Sequence, residues 1–141
     1  MRVISIIQPW AELIVMGAKH YETRTWPSSF RGRILIHASS RRGTQYSGLC
    51  DNQPFKKYVP GWQSYNRLQF GAIIGEAFIA GISPAEDIRK KISADEIAFG
   101  YYNTGHYAWQ ITHPIKYKIA YPVKGSLGLW EFEEELLKNC Y

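Results

Sequence analysis

Apolar residues along this chain alternate or run together in short stretches, each bounded by a glycine, a proline or a polar cluster. "RVISII" (residues 2–7) is rich in β-branched side chains and stops before Pro9, as a strand feeding a helix does. Pro9 suits the first helical position, because the N–H it lacks has no partner there. Trp10, Leu13, Ile14 and Gly17 then fall at i, i+3, i+4 and i+7, which predicts a short, mostly buried helix over 9–16 ended by Gly17. A strand is expected from about His20 to Trp26, stopped by "PSS". "GRILIHASS" (32–40) predicts another, with Ile34 and Ile36 on one face and Arg33, Leu35 and His37 on the other.

From Arg41 the pattern weakens into Gly, Pro, Asn and aromatic residues, which predicts a long excursion with short helices, a variable insert at about 41–69. "FGAIIGEAFIAGI" (70–82) returns to strand composition, with glycines that favour bends or bulges in a curved sheet. Ser83 reads as an N-cap and Pro84 as the first residue of a helix that continues through Ile88 and Ile92. In "HYAWQITHPIKY" Tyr107, Trp109 and Ile111 alternate with His106, Ala108 and Gln110, a half-buried strand; "LGLWEFE" (127–133) is the last strand candidate. With no repeat, low-complexity tract or linker, 1–141 reads as one α+β domain. The expected architecture is a small barrel or curved sheet of about six mixed strands decorated by short helices.

Length supports a single core, since a chain of 141 residues buries roughly 68–70% of its unfolded surface. Seventeen basic against twelve acidic residues, a formal charge of +5, favour a polyanionic partner. Ten Tyr, six Phe and five Trp supply stacking surface as well as core. Cys50 and Cys140 form neither a metal cluster nor a dense disulfide framework, which fits a reducing compartment. The N-terminal run is cut by Gln8 and Pro9, unlike a signal peptide, and no apolar segment approaches the ~20 residues that span a bilayer. A soluble, cytoplasmic protein with no membrane association is expected. His106 and His113 are too isolated for a metal site, and no phosphate-binding glycine loop, nucleophile elbow or dinucleotide fingerprint occurs. No cofactor is therefore implied, and a nucleoside-triphosphate or redox enzyme is disfavoured.

The densest chemistry lies in "GAKHYETRTW" (17–26). On a regular strand Glu22 and Arg24 share a face about 6.5–7 Å apart, close enough to pair or to share a ligand. His20 and Trp26 lie on that face. Lys19 is odd-spaced and points away, unless it sits in the turn that Gly17 favours. As an exposed cross-pair the two charges are worth at most ~1 kcal/mol. In a cleft, Arg24 offers planar donors to a phosphate or base edge and Lys19 a compact charge. Glu22 is then an acceptor for an exocyclic amine or a general base, held ionised by its cationic neighbours. Trp10 and Trp26 bracket the cluster as candidate stacking platforms worth ~1–3 kcal/mol per base. Arg31, Arg33, Arg41 and Arg42 flank the "ILIHASS" strand as a candidate basic rim, with Ser39 and His37 at the strand end; His37 is the weaker candidate base. Glu76 alternates with Ile74 and Phe78, either as a partly buried carboxylate with a raised pKa or as a solvated edge residue.

"SIIQPWAELIVMGAKHYETRTW" followed by "RGRILIHASS" resembles the ASCH domain (activating signal cointegrator homology domain), a relative of the PUA fold, and "YPVKGSLGLWEF" resembles that family's closing strand. The resemblance implies a PUA-like β-barrel with a cleft beside the first helix, lined by Lys19, Glu22 and Arg24. It implies a partner that is single-stranded RNA or another single-stranded nucleic acid, a modified or unpaired base, or a nucleoside. The family includes RNA-cleaving members and amidohydrolases of acylated cytidine; an enzyme of either kind would use Lys19 and Glu22 as catalytic residues. In the amidohydrolases a catalytic threonine stands three residues after the lysine. Here that position is Glu22, a poor replacement for a hydroxyl nucleophile, and Thr23 faces the other way on a strand. A nucleic-acid-binding module is therefore the first expectation, with Trp10, Trp26, Arg33 and Ser39 joining the three charged residues. A ribonuclease or acylcytidine amidohydrolase is the alternative, and an adaptor binding an unspecified protein through the aromatic stretch 46–70 is the third.

Overall fold

The β-branched N-terminal run forms β1 (Arg2–Ile6), which sends Ile4 and Ile6 to one face of a sheet and Val3 to the other. The structure is a computed structural model that describes all of residues 1–141. After β1, helix α1 (Trp10–Val15) starts one residue later than the spacing predicts, because Pro9 occupies the N-cap. Gln8 supplies the cap that Pro9 cannot. Fully buried, it accepts from the Glu12 N–H (2.9 Å) through Oε1 and donates to the Gln69 carbonyl (2.9 Å) through Nε2. Gly17, at φ +84°, ends the helix, and the Ala18 and Lys19 N–H groups close on the Leu13 carbonyl.

The remaining strands are β2 (Tyr21–Arg24), β3 (Gly32–Ala38), β4 (Ala72–Pro84), β5 (Tyr107–Pro122) and β6 (Leu129–Glu131). All six form one sheet in the order β2-β5-β4-β3-β1-β6. Only β1 and β3 run parallel; the sheet is mixed and curls into a half-barrel with β2 and β6 at its edges. Register shifts bend β3 once and β4 three times. At one of them a Cβ on Gly75 would lie 2.3 Å from the Ile115 carbonyl oxygen and 2.9 Å from Val15 Cγ1. The missing side chain is what lets α1 press against the sheet.

That contact makes the main core: Ala11, Ile14 and Val15 of α1 pack on Ile34, Ile36, Ile74, Ile79 and Trp109. On the other face Leu137 and Cys140, from a C-terminal 3-10 turn and the residues after it, cover Val3, Leu35, Ile73 and Tyr117. Covered on both sides, β3 can be an unbroken apolar run.

Residues 41–69 fold as α2 (Thr44–Ser47), a 3-10 turn (Gly48–Asp51), α3 (Phe55–Tyr58) and α4 (Gly61–Asn66) around buried Cys50, Val59 and Tyr65. The helix expected to begin at Ser83 is displaced. β4 continues through Ser83 and Pro84, which pair with Ala108 and Tyr107, and a proline at a strand end loses no ladder bond. Two short helices follow, α5 (Ala85–Arg89) and α6 (Ala94–Ala98), and the working cap is Ser93, whose Oγ accepts from the Glu96 N–H at 3.1 Å. No helix is long and apolar enough to cross a membrane.

Candidate nucleic-acid interface

Curling brings β2 back toward the end of β1, although no ladder bond joins the two strands. Arg24 spans the seam, its Nη2 donating to the Ser5 carbonyl at 2.7 Å. The seam holds a cleft of about 280 Å³. Trp10, Tyr46, Phe99 and Tyr101 form its aromatic wall, and Ser5, Glu22, Thr23 and Arg24 its polar side. The wall is braced rather than free: Trp10 sits edge-to-face between Tyr46 (5.9 Å) and Phe55 (6.0 Å), and Phe55 meets Phe99 at 5.2 Å. Tyr101 is 60% exposed and is tied to β2 by its N–H, which donates to Thr23 Oγ1 at 3.0 Å.

Glu22 is the hub of the charges. Its Oε2 lies 3.0 Å from Arg24 Nε and its Oε1 3.8 Å from Lys19 Nζ. Lys19 is 1% exposed and also donates to the Tyr21 carbonyl. Burial lowers its pKa below the ordinary lysine value, against the pull of the Glu22 and Glu96 carboxylates. Glu96, buried on α6, accepts from the His20 N–H at 2.6 Å. Two cations therefore face two carboxylates and the cluster is balanced. The Arg24 Nε–H is not aligned on any acceptor, so its contact with Glu22 is an ion pair without a directed hydrogen bond. Nη1 of Arg24 has no partner in the chain, which leaves donors available on a side chain 24% exposed to the cleft.

The fold thus brings Trp10, Glu22 and Arg24 together. Lys19 stands behind Glu22 and does not line the cleft, a correction to its expected place as a contact residue. Trp26 is half-buried, packed edge-to-face on Trp109 of the core at 4.9 Å, and its carbonyl accepts from that indole at 3.4 Å; it does not line the cleft. Arg33 lies away from the cleft, bound bidentately to Glu76 at 2.7 Å and paired with Glu134. That hydrogen-bonded pairing, with help from the Tyr117 hydroxyl, holds Glu76 below the usual carboxylate range instead of raising it. Ser39 Oγ accepts from the Arg41 N–H at 3.1 Å, outside the cleft.

His37 is also removed from the candidate site. It is buried against Trp130, between Ser5 Oγ (3.0 Å) and the Val123 carbonyl (2.7 Å). A carbonyl can only accept, so Nε2 carries the proton and Nδ1 accepts from the Ser5 hydroxyl. Burial pushes its pKa below the ordinary histidine value. Tyr46, Phe99 and Tyr101 were not singled out from sequence; they reach the cleft from α2 and the end of α6, and only the general wealth of aromatics pointed to them. No three His, Cys, Asp or Glu side chains are grouped to hold a metal ion.

Residues 4–120 match the ASCH domain family, and the chain belongs to it. Over 39 residues it is 44% identical to activating signal cointegrator 1 of Homo sapiens and 46% identical to that of Mus musculus. Each match spans 28% of this chain but only 7% of the relative's length. Among solved structures, the chain is similar to ASCH from Zymomonas mobilis, with a TM-score of 0.57 at 17% identity over 95% of this chain and 88% of that one. A tyrosine-to-phenylalanine variant of the same protein gives 0.57 at 18% identity over 98% and 94%. At that identity the likeness carries the PUA-like fold and no more. ASCH domains are associated with RNA binding.

Proposed function

We propose that the seam between β1 and β2 receives an unpaired base of single-stranded RNA. The observation that carries this reading is the pairing of a braced aromatic wall with Glu22 and the unpartnered Nη1 of Arg24 in one cleft of about 280 Å³. That volume is close to the lower end of the ~300–1,000 Å³ typical of small-ligand sites. A base stacked on Trp10 or Tyr101 presents its edge to the polar side. Glu22, set between Lys19 and Arg24, accepts from an exocyclic amine while Arg24 donates to a neighbouring ring nitrogen or carbonyl. This selects amine-bearing bases. Lys19 acts through Glu22, fixing the carboxylate without touching the ligand.

The test is fluorescence anisotropy with a labelled single strand. Arg24→Ala should weaken binding by at least about tenfold, the loss of ~1.4 kcal/mol of charge-assisted hydrogen bonding. Affinity equal to wild type would sink the reading. The hydrolytic alternative draws on one observation, the desolvated Lys19 next to Glu22. Incubation with labelled RNA and with N4-acetylcytidine decides it, since turnover of either makes the cleft an active site and its absence leaves a binding module.

A further inference from the structure

We infer that residues 41–69 form a second nucleic-acid contact surface, so that the ligand is a single-stranded oligonucleotide and not a free nucleoside; this rests on the cleft being a base site. The chain's charge is concentrated there. Arg41, Arg42, Lys56, Lys57 and Arg67 face only one acid in that stretch, Asp51, a net of +4 out of the +5 carried by the whole sequence. The rest of the chain is close to neutral, and the Lys19, Arg24, Glu22 and Glu96 cluster is itself balanced. Long-range attraction of a polyanion therefore comes from the excursion rather than from the cleft.

Helix α2 is the shared wall between the two regions. Tyr46 lines the cleft, while Thr44 and Ser47 line a second cavity of about 350 Å³ together with Arg42, Trp62 and Tyr65. A helical turn is only ~10–12 Å across, so one strand can occupy both cavities with nearby nucleotides. Trp62 is 59% exposed and has no aromatic neighbour, which leaves its ring free to stack. Arg42 is held flat on Phe70, 3.8 Å from the ring centre, with no carboxylate partner. Tyr65 is buried beside them, and its hydroxyl lacks a hydrogen-bond partner. An open indole beside a positioned, unpaired guanidinium holds a single strand without reading its sequence, base on ring and phosphate on cation. A nucleoside has no phosphate for Arg42 and fills one cavity only.

The experiment compares wild type, Trp62→Ala and Arg42→Ala on cytidine and on oligocytidylates of up to about eight residues, within the ~4–16-nucleotide footprints of small single-strand-binding folds. Cytidine binding is followed by NMR titration and the strands by anisotropy at several salt concentrations. Wild-type affinity should climb with length. Trp62→Ala should remove roughly 5- to 150-fold of that gain. Arg42→Ala should reduce the logarithmic salt slope by about 0.7. Neither should change cytidine binding. A length gain and salt slope equal to wild type in both variants overturn the inference while the cleft reading stands. Loss of the length gain in Trp62→Ala, together with unaltered binding in Arg24→Ala, supports the surface and removes the cleft. Absence of binding at every length overturns both.

Discussion

Replacing Lys19 with methionine keeps the aliphatic stem and removes the charge from the most enclosed position in the cluster. Nζ lies 3.8 Å from Glu22 Oε1, a separation worth about 4 kcal/mol of attraction at an effective dielectric of about 20. Glu22 retains Arg24 at 3.0 Å and Glu96 retains the His20 N–H, so part of the loss is compensated. Relief of the buried amine's desolvation, which outweighs both carboxylates in setting its pKa, offsets the remainder. We expect Lys19→Met to leave stability unchanged or to raise it by up to about 2 kcal/mol in urea unfolding, in line with the ~1–4 kcal/mol gained when buried charges give way to apolar groups of similar volume. RNA affinity of the folded variant should stay within about threefold of wild type, since no ligand contact is lost. The pH dependence supplies a separate reading. The folded-state pKa is depressed, so between it and 10.5 the unfolded chain holds more of this proton. Wild-type stability therefore gains from this group as pH rises through that window, and Lys19→Met lacks the gain. Taking the difference between the two proteins cancels the opposing ionisation of Tyr102 and Tyr117, whose phenols are raised by burial. A stability loss above about 2 kcal/mol, or a large loss of RNA affinity in a fully folded variant, would refute the reading of Lys19 as a desolvated amine that backs Glu22 without touching the ligand.

Two further substitutions separate framework from site. Glu76→Ala, which leaves Arg33 with Glu134 alone and strands the Tyr117 hydroxyl, should cost about 2 kcal/mol of unfolding free energy and leave RNA affinity unchanged; a selective loss of binding would return Arg33 to the interface. His37→Gln tests the neutral buried imidazole. Because its folded pKa lies below 6.5, the unfolded chain takes up the proton first and wild-type stability falls as pH drops below about 6.5. The glutamine variant should lose that part of the acid sensitivity, and retention of the wild-type slope between about pH 6.5 and 5 would count against it.

Strand alternation was enough to place Glu22 and Arg24 side by side, and the glycine turn was enough to swing Lys19 toward them. What alternation does not encode is depth. Lys19 and Glu22 look alike as charged residues near a turn, yet one is sealed behind the other because Glu96 and α6 close over it from seventy-odd residues away. Trp26 was legible as a strand-end aromatic, but its partner Trp109 belongs to another strand, so its burial is a tertiary fact. The same holds for Arg33, which reads as a rim cation until the β3–β4 register, pairing it with Phe78, makes Glu76 its diagonal neighbour. Tyr46 and Tyr101 carry no local signal for the cleft, since one enters it from a single-turn helix and the other from the irregular residues after α6. The sheet was more readable than the helices because period-two runs are strong local patterns. Pro84 misled because it fits a strand end as well as a helix start.

The central claim is that a base enters the seam between β1 and β2. The most direct measurement is a titration of isotope-labelled protein with single-stranded RNA, followed by NMR through the tryptophan indoles and the arginine side chains. The Trp10 indole and the Arg24 guanidinium should shift first, together with the Tyr101 amide, while the Trp26 and Trp130 indoles and Arg33 hold still. Shifts confined to Arg33, Trp130 and their neighbours on the other face of the sheet would contradict it.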